Sequence, residues 1–368
     1  MRVAIDASSL LLRSAGIKSY TYHWIDHLRR LADRDEIVLF PFLDRYGRLD
    51  HQGSLLTRWQ TLPRLASLYA ANLPGIPLLD WVSRRVDVFH VSNQVRRPPR
   101  RVRLTATIHD LTCWLMPELH TSANVKADRT FAERVLRRAG GLIAVSENTR
   151  RDAERILGLD ASKIDVIYSG IAQEYFDAVP LAPGKLGISC PYILFVGTVE
   201  PRKNLDTLMD AYANLETGLR EQYDLLVAGP AGWSSERTLA RLRSGTPGIR
   251  YLGYVPEEDL PGLTAGATVF AYPSLYEGFG FPLAQAMAAG VASITSNGSC
   301  LPEIAAGSAL LVDPRSVGEV GAALERVLSA PLLRSELAAK GKARAAACYR
   351  WETCAQTSLD FFHRVAGK

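Results

Sequence analysis

Short apolar runs alternate with amphipathic stretches along the whole chain. The runs are almost continuously hydrophobic, as strands buried on both faces of a parallel sheet are. Six are predicted in each half, at residues 2–6, 36–42, 87–91, 104–108, 141–146, 164–168, 192–196, 223–228, 249–252, 267–272, 291–295 and 309–312. The stretches between them repeat apolar residues every three or four positions, which predicts helices. The alternation predicts an α/β fold with two doubly wound parallel sheets.

The two sets of strands predict two Rossmann-like domains, at residues 1–180 and 188–350, joined by a linker with Pro and Gly at 180–187. A length of 368 residues agrees with this, because single cores seldom exceed ~250–300 residues. The last predicted helix, within residues 351–368, is assigned to the first domain, although its periodicity alone does not decide this. Ligands bind doubly wound sheets at the carboxyl ends of the strands, so we expect a site in the cleft between the domains.

Composition is that of a globular enzyme, with 47% hydrophobic and 22% charged residues. The five cysteines form no C-x-x-C pair, which favours reduced thiols in a cytoplasmic protein over a disulfide framework or a zinc site. Asp6 interrupts the first apolar run, so no signal peptide is predicted. The two long uncharged stretches, 260–276 and 278–302, contain Pro and Gly and do not predict membrane spans.

The net charge of +5 resides in the first half of the chain. Residues 1–178 hold 26 Lys and Arg against 20 Asp and Glu, whereas residues 179–368 hold 17 against 18. Such a basic surface attracts phosphates or anionic lipid headgroups, and no nucleic-acid-binding motif accompanies it. We expect segment 96–103 to meet a lipid-linked diphosphate or the inner face of the plasma membrane; a solvated basic face is the alternative. Its arginines are Arg96, Arg97, Arg100, Arg101 and Arg103.

The most informative segment for chemistry is 277–285. Gly278 and Gly280 allow the backbone to approach a ligand closely, because they have no Cβ atom. Pro282 then opens an uncharged helix, whose amino end offers free N–H groups and partial positive charge. With the carboxylate of Glu277 beside it, this segment predicts a site for a ligand rich in hydroxyls and phosphates. A turn before a core helix is the alternative.

A second glycine turn follows the first strand of the second domain. Gly197 leads to Arg202, Lys203 and Asn204, where the next helix begins, and Asn204 is a candidate N-cap. A diphosphate there would meet both cations and the helix terminus. The sequence therefore predicts a second part of the same site, with an exposed basic turn as the alternative.

The first domain contributes two further candidates. His109 follows a predicted strand, so it would lie near the mouth of the expected cleft and could donate a hydrogen bond to a hydroxyl or a phosphate. Gly16 lies between the first strand and the first helix and would allow close backbone approach. A structural role is the alternative for each.

Together these motifs resemble those of glycosyltransferase family 4, the retaining family with the GT-B fold. The resemblance covers nearly the whole chain and rests mainly on Gly-Thr-x-Glu-Pro-Arg-Lys-Asn at 197–204 and Glu-Gly-Phe-Gly-Phe-Pro at 277–282. It implies two Rossmann-like domains facing a central cleft. The chain is similar to members that build bacterial cell-surface polysaccharides, which implies mannose or rhamnose as the transferred sugar.

The resemblance also implies roles for individual residues. Arg202 and Lys203 would hold the donor diphosphate, Glu277 would bind hydroxyls of the donor sugar, and His109 would lie near the reaction centre. Phe279 and Gly280 would contact the sugar through backbone N–H groups. The other positions assigned to donor binding are Gly16, Gly253, Tyr254, Val255, Gly278 and Gln285.

One position departs from the family pattern. The family has a second Glu eight residues after the first, where this chain has Gln285. Glutamine keeps an acceptor oxygen but loses the charge, and charge-assisted hydrogen bonds are about twice as strong as neutral ones. We therefore expect weaker ribose binding or an altered nucleotide preference.

The implied reaction transfers a hexose from a nucleotide diphosphate sugar, GDP- or dTDP-linked, to a hydroxyl of a glycan or lipid-linked acceptor. An inverting enzyme needs a base opposite the leaving group, and loop 7–15 has no Asp, Glu or His, which favours retention. No cofactor or metal is expected, because the Asp-x-Asp sequence at Asp33 and Asp35 lies at the amino end of a strand and indicates a solvated turn. A non-catalytic sugar-nucleotide-binding subunit and a sugar-nucleotide epimerase are the alternatives.

Overall fold

The computed structural model describes residues 1–182 and 184–368. They form two compact units, one of Met1–Gly170 with Arg350–Lys368 and the other of Ile171–Tyr349. Segment 171–180, which the sequence assigned to the first domain, therefore clusters with the second unit. Of the predicted linker, residue 183 lies outside the described residues.

The first unit is built on a six-stranded parallel sheet. Its strands are β1 (Arg2–Asp6), β2 (Glu36–Phe40), β3 (Val88–Val91), β4 (Arg103–Ile108), β5 (Gly141–Ala144) and β6 (Ile164–Val166). They are ordered β2-β1-β3-β4-β5-β6, and every neighbouring pair is parallel. The helices that follow in the chain are α1 (Gly16–Leu31), α2 (Arg58–Asn72), α3 (Leu78–Val82), α4 (Thr112–Leu115), α5 (Ser122–Arg134) and α6 (Glu147–Leu157).

The second unit repeats this architecture. Its strands are β7 (Tyr192–Val196), β8 (Asp224–Ala228), β9 (Ile249–Gly253), β10 (Val269–Tyr272), β11 (Ser293–Ser296) and β12 (Ala309–Val312), in the parallel order β12-β11-β10-β7-β8-β9. Its helices are α7 (Gln173–Phe176), α8 (Leu205–Ala213), α9 (Thr217–Gln222), α10 (Glu236–Arg243), α11 (Leu260–Ala265), α12 (Phe281–Ala288), α13 (Leu301–Ala305), α14 (Val317–Ser329) and α15 (Pro331–Cys348).

The last helix, α16 (Trp351–Ala366), packs on α1 of the first unit. Trp351 is buried, and its ring centroid lies 5.7 Å from that of Tyr20. A Cβ atom at Gly170 would come within 2.4 Å of Trp351, so only glycine fits there. The indole N–H of Trp24 on α1 donates to Ser358 Oγ over 3.0 Å. The C-terminal helix therefore completes the core of the first unit.

All twelve predicted strands are present, and their ends differ from the predictions by at most two residues. The strands are largely buried on both faces, because helices cover each sheet. This confirms the predicted α/β fold with two doubly wound parallel sheets. Over the described residues, no helix combines the length and the apolar character that crossing a bilayer requires.

Candidate active site

Two loops at the carboxyl edge of the second sheet bring a carboxylate against two cations. Arg202 and Lys203 come from a 3-10 turn between β7 and α8, and Glu277 comes from the loop between β10 and α12. The loops emerge side by side because β7 and β10 are neighbours in the sheet. Lys203 Nζ donates to Glu277 Oε1 over 2.7 Å, and Arg202 Nη1 lies 2.9 Å from Glu277 Oε2. The three residues singled out by the sequence are thus in direct contact.

Further side chains complete this buried cluster. The Tyr272 hydroxyl accepts a hydrogen bond from Lys203 Nζ over 2.6 Å and donates one to Glu277 Oε1 over 2.9 Å. Ser274 Oγ donates to the same carboxylate oxygen over 2.6 Å. Glu200 Oε1 lies 2.6 Å from Arg202 Nη2. Glu277 is only 7% exposed, so these contacts are shielded from water.

The electrostatics of the cluster keep Glu277 ionised. Burial would raise the pKa of Glu277, but the charges of Arg202 and Lys203, with hydrogen bonds from Lys203 and Ser274, outweigh it and lower that pKa to about 2. Burial and the neighbouring Arg202 lower the pKa of Lys203, while Glu277 and Glu200 oppose that shift. The charges of the two carboxylates balance those of the two cations.

The two loops are also joined through their backbones. Arg202 accepts a hydrogen bond from the Leu275 N–H over 2.9 Å, and its Nη1 donates to the Tyr276 carbonyl over 2.7 Å. The sequence predicted Asn204 as the N-cap of α8. Asn204 immediately precedes α8, but its side chain makes no capping hydrogen bond to that helix. It donates instead to the Pro273 carbonyl over 3.0 Å and to the Pro314 carbonyl. Asn204 thus fixes the positions of the loops that carry Arg202 and Glu277.

The segment after Glu277 turns sharply into α12. Gly280 has a φ of +83°, and a Cβ atom there would lie 2.8 Å from Leu301 Cδ2, so glycine is required. The helix begins at Phe281. Pro282 is therefore its second residue, whereas the sequence predicted it as the first. The backbone N–H groups of Phe279 and Gly280 have no assigned acceptor among the described residues. Two backbone donors therefore remain in the turn that follows Glu277.

The other predicted donor-binding positions of the second unit lie near the same edge of the sheet. Gly253 ends β9 with a φ of +66°, and its carbonyl accepts from the Gly229 N–H over 2.7 Å. Val255 is buried, whereas Tyr254 is 38% exposed. Gln285 lies on α12 and is partly exposed. Tyr254 and Gln285 thus offer side-chain surface to a ligand.

In the first unit, the predicted residues lie at the corresponding edge of its sheet. His109 follows β4, contacts the Ser92 hydroxyl over 3.3 Å and packs edge-on against Tyr20, with ring centroids 5.1 Å apart. Burial lowers the pKa of His109 to about 4, although Asp110 opposes the shift, so the imidazole is neutral near pH 7. Gly16 begins α1, one turn before Tyr20, and a Cβ atom there would meet nothing within 4 Å. A larger side chain would therefore fit at this position without a steric clash.

In the Asp-x-Asp turn, Asp33 is exposed as predicted, but Asp35 differs from the prediction. Asp35 is not solvated: its side chain is 10% exposed and lies 2.8 Å from both the Met1 amino group and His363 Nε2. It thus ties β2, β1 and α16 together. No group of three or more His, Cys, Asp or Glu side chains within residues 1–182 and 184–368 is arranged to hold a metal ion.

Three members of the cluster were missed by the sequence reasoning: Glu200, Tyr272 and Ser274. Glu200 lies within the motif at 197–204. Its contact with Arg202 forms across a 3-10 turn, and no hydrophobic periodicity in the sequence indicates such a contact. Tyr272 is the last residue of a predicted strand, and nothing in the local sequence distinguishes it from other strand residues. Its position at the carboxyl end of β10, next to β7, is the signal that could have identified it.

Two family models match the chain. The model described as Glycosyltransferase Family 4 matches residues 15–175, and the one described as Glycosyl transferases group 1 matches residues 185–344. Among curated proteins, the O-antigen chain mannosyltransferase B of Escherichia coli is 29% identical over 98% of this chain and 99% of its own length. The serotype-specific mannosyltransferase WbdA of Escherichia coli is 25% identical over 62% of this chain and 29% of its own length.

Solved structures share the fold at low identity. A sucrose-phosphate synthase from Thermosynechococcus elongatus has a TM-score of 0.77 at 18% identity, covering 100% of this chain and 99% of its own. Anabaena HepE in complex with UDP has a TM-score of 0.70 at 18% identity, covering 98% of each chain. WaaG, a glycosyltransferase involved in lipopolysaccharide biosynthesis, has a TM-score of 0.69 at 14% identity, covering 100% of each. These likenesses show the GT-B architecture.

Proposed function

Because the chain belongs to glycosyltransferase family 4, we propose that it is a retaining hexosyltransferase whose donor is a nucleotide diphosphate sugar. The transferred sugar is mannose, or else rhamnose, and the acceptor is a hydroxyl of a glycan or lipid-linked glycan in cell-surface polysaccharide synthesis. The similarity to the Escherichia coli O-antigen mannosyltransferase supports the choice of sugar. The observation that carries the proposal is the buried contact of Arg202 and Lys203 with Glu277.

Arg202 and Lys203 stabilise the leaving diphosphate. An oxocarbenium-like transition state requires stabilisation of the charge that develops on the leaving group, and fixed donors in a shielded site supply it. Two of the three ammonium hydrogens of Lys203 are used by Tyr272 and Glu277, so one remains for a phosphate oxygen. Since Glu200 and Glu277 balance both cations, binding depends on the positions of these donors more than on excess positive charge.

Glu277 positions the donor sugar. Its Oε1 accepts hydrogen bonds from Lys203, Tyr272 and Ser274, which leaves Oε2, paired with Arg202, as the oxygen for a sugar hydroxyl. The backbone N–H groups of Phe279 and Gly280 donate to the same sugar. In a retaining front-face reaction the leaving phosphate takes the proton of the acceptor hydroxyl. No side chain then acts as the nucleophile.

The remaining roles follow the resemblance. His109, neutral at physiological pH, offers a hydrogen bond and no charge. Gln285 binds the ribose through its amide, and residues 253–255 lie against the base, for which guanine or thymine is proposed. No metal is required, because Lys203, Arg202 and the backbone N–H groups supply fixed hydrogen-bond donors for the diphosphate oxygens that a metal ion would otherwise contact.

A thermal-shift panel of nucleotide diphosphates and their sugars tests the donor, because a ligand that binds only the folded state raises the melting temperature. We expect GDP or dTDP compounds to give the largest shift. The effective donor is then incubated with glycan acceptors, and the anomeric configuration of the product is read by NMR, with and without a chelator. Retention at an unchanged rate is expected. Binding without transfer or hydrolysis would instead identify a non-catalytic subunit.

A further inference from the structure

One helix of the first unit presents an apolar face to solvent. On α2, the side chains of Trp59, Leu62 and Tyr69 are 85%, 52% and 69% exposed. Their spacing of three and seven residues places them on one side of the helix. The opposite side packs inward through Thr61, Leu68 and Ala71. The exposed residues are therefore not the face that anchors α2 to its unit.

The apolar surface continues past the end of α2. Ile76, in the following turn, is 45% exposed, and Trp81 on α3 is 63% exposed. We call these five residues, Trp59, Leu62, Tyr69, Ile76 and Trp81, the aromatic face. Few large apolar side chains elsewhere in the described chain are comparably exposed, and this group is confined to two consecutive helices and the turn between them. Exposed apolar residues gathered in this way indicate an interaction surface.

Hydrogen bonds fasten the aromatic face to the arginine-rich segment 96–103. Asn72, the last residue of α2, donates to the Gln94 carbonyl over 3.2 Å and accepts from the Arg96 N–H over 2.8 Å. Asp80, next to Trp81, accepts from the Arg100 N–H over 2.6 Å. The aromatic face and the basic segment therefore form adjoining parts of one surface.

The charge of this surface is strongly positive. Residues 57–103 contain nine arginines, two aspartates and no lysine or glutamate, a net of +7, which exceeds the +5 of the whole chain. Asp80 is engaged with Arg100, and Asp87 with Lys368 over 2.9 Å. A pocket of about 540 Å³ is lined in part by the segment, with which it shares Arg100 and Arg103. Its other arginines are Arg138 and Arg364.

We propose that the aromatic face and segment 96–103 dock the first unit on an anionic phospholipid bilayer. Trp and Tyr are enriched at the level of lipid headgroups, because the ring is apolar and its N–H or O–H stays hydrated. A helix that lies in the membrane–water interface inserts its apolar face among the lipids, while neighbouring arginines pair with lipid phosphates. The aromatic face and segment 96–103 fit this pattern. A symmetric contact between two copies is disfavoured, because it would bring two segments with a net charge of +7 each close together. This surface lies outside the residues of the proposed sugar transfer, so the inference does not depend on that function.

Co-sedimentation with vesicles tests the proposal, using the full chain and vesicles of phosphatidylcholine with or without phosphatidylglycerol. We expect the wild type to bind the anionic vesicles preferentially. The variant carrying Trp59→Ser, Leu62→Ser and Tyr69→Ser should bind them at least about tenfold more weakly, because the inserted apolar surface is lost. Replacement of Arg96, Arg97, Arg100 and Arg101 by Gln should reduce binding mainly at low salt. Quenching of tryptophan fluorescence by brominated lipid should occur in the wild type and weaken in Trp59→Ser.

A matched control is available in the second unit, where Leu332 is 89% exposed. Leu332→Ser should bind vesicles like the wild type, and all variants should keep the wild-type circular dichroism spectrum. Equal binding by the serine variant of the aromatic face would overturn the proposal. So would a wild-type dimer in solution that the same substitutions convert to a monomer, since the face would then join two copies of the chain.

Discussion

At the scale of single residues, Glu277 is a buried carboxylate that its neighbours keep ionised. Glu277→Gln removes one negative charge from a cluster in which two carboxylates balance two cations. We therefore expect nucleotide diphosphate to bind more tightly, while sugar transfer slows by about 10²–10³, as when an oriented polar group at a transition state is lost. Calorimetry and turnover measure the two effects.

Glu221→Gln is the control for this prediction, because Glu221 is an exposed carboxylate of the same unit. It should change neither quantity. A Glu277→Gln protein with wild-type turnover would contradict the role of Glu277 in positioning the sugar.

The buried imidazole of His90 should make the free energy of unfolding depend on pH. Its ring nitrogens contact Thr105 and Thr107 hydroxyls over 3.0 and 2.9 Å, and burial, followed by the nearby His109, lowers its pKa to about 3. Below the unfolded-state pKa of about 6.5, the unfolded chain takes up a proton that the folded chain does not. The free energy of unfolding of the first unit should therefore fall as pH drops from 6.5 towards 3, by up to ~1.4 kcal/mol per pH unit from this group.

Urea unfolding between about pH 7 and pH 5 measures this slope. His90→Gln keeps a polar side chain but does not titrate, so its unfolding free energy should depend less on pH than that of the wild type. Identical slopes would show that His90 does not take part in the acid response.

At the scale of elements, the turn into α12 depends on Gly280. Gly280→Ala would place a Cβ atom in a left-handed conformation and 2.8 Å from Leu301 Cδ2. The conformation alone should cost about 1–2 kcal/mol of stability, and displacement of Leu301 should add to that and disturb the N–H groups beside Glu277. We expect a lower melting temperature together with a loss of transfer activity.

Gly245→Ala isolates the backbone contribution, because Gly245 has a φ of +76° and open space around it. Equal destabilisation by the two substitutions would show that the contact with Leu301 is unimportant. Wild-type activity in Gly280→Ala would show that the turn geometry is not needed for transfer.

The elements and part of the site could be predicted because each rests on a local signal. Buried parallel strands are continuously apolar, and glycine turns at their carboxyl ends identified Arg202, Lys203 and Glu277. The contacts of Tyr272 and Glu200 depend on which strands are neighbours, which local sequence does not encode. On α2, periodicity defines a helix but not which side meets the core: Leu68 packs inward while Trp59 is exposed.

At the scale of the whole molecule, each half of the chain builds a six-stranded sheet of the same kind. The predicted division at residue 180 differs from the structure because α7 packs on α11 and α12 of the second unit, with Tyr175 and Phe176 buried. A linker rich in Pro and Gly indicates where a chain can turn. The domain boundary is set by the core that buries the neighbouring aromatic side chains.

The central claim is that Arg202 and Lys203 hold the diphosphate of the donor beside Glu277. Calorimetric titration of the folded protein with its preferred nucleotide diphosphate tests it most directly, with Lys203→Met, Arg202→Lys and the exposed control Lys340→Met. We expect Lys203→Met to weaken binding by at least about tenfold and Arg202→Lys to weaken it less, because the charge remains but the planar fork is lost. Lys340→Met should bind as the wild type does. Wild-type affinity in a folded Lys203→Met protein would contradict the account.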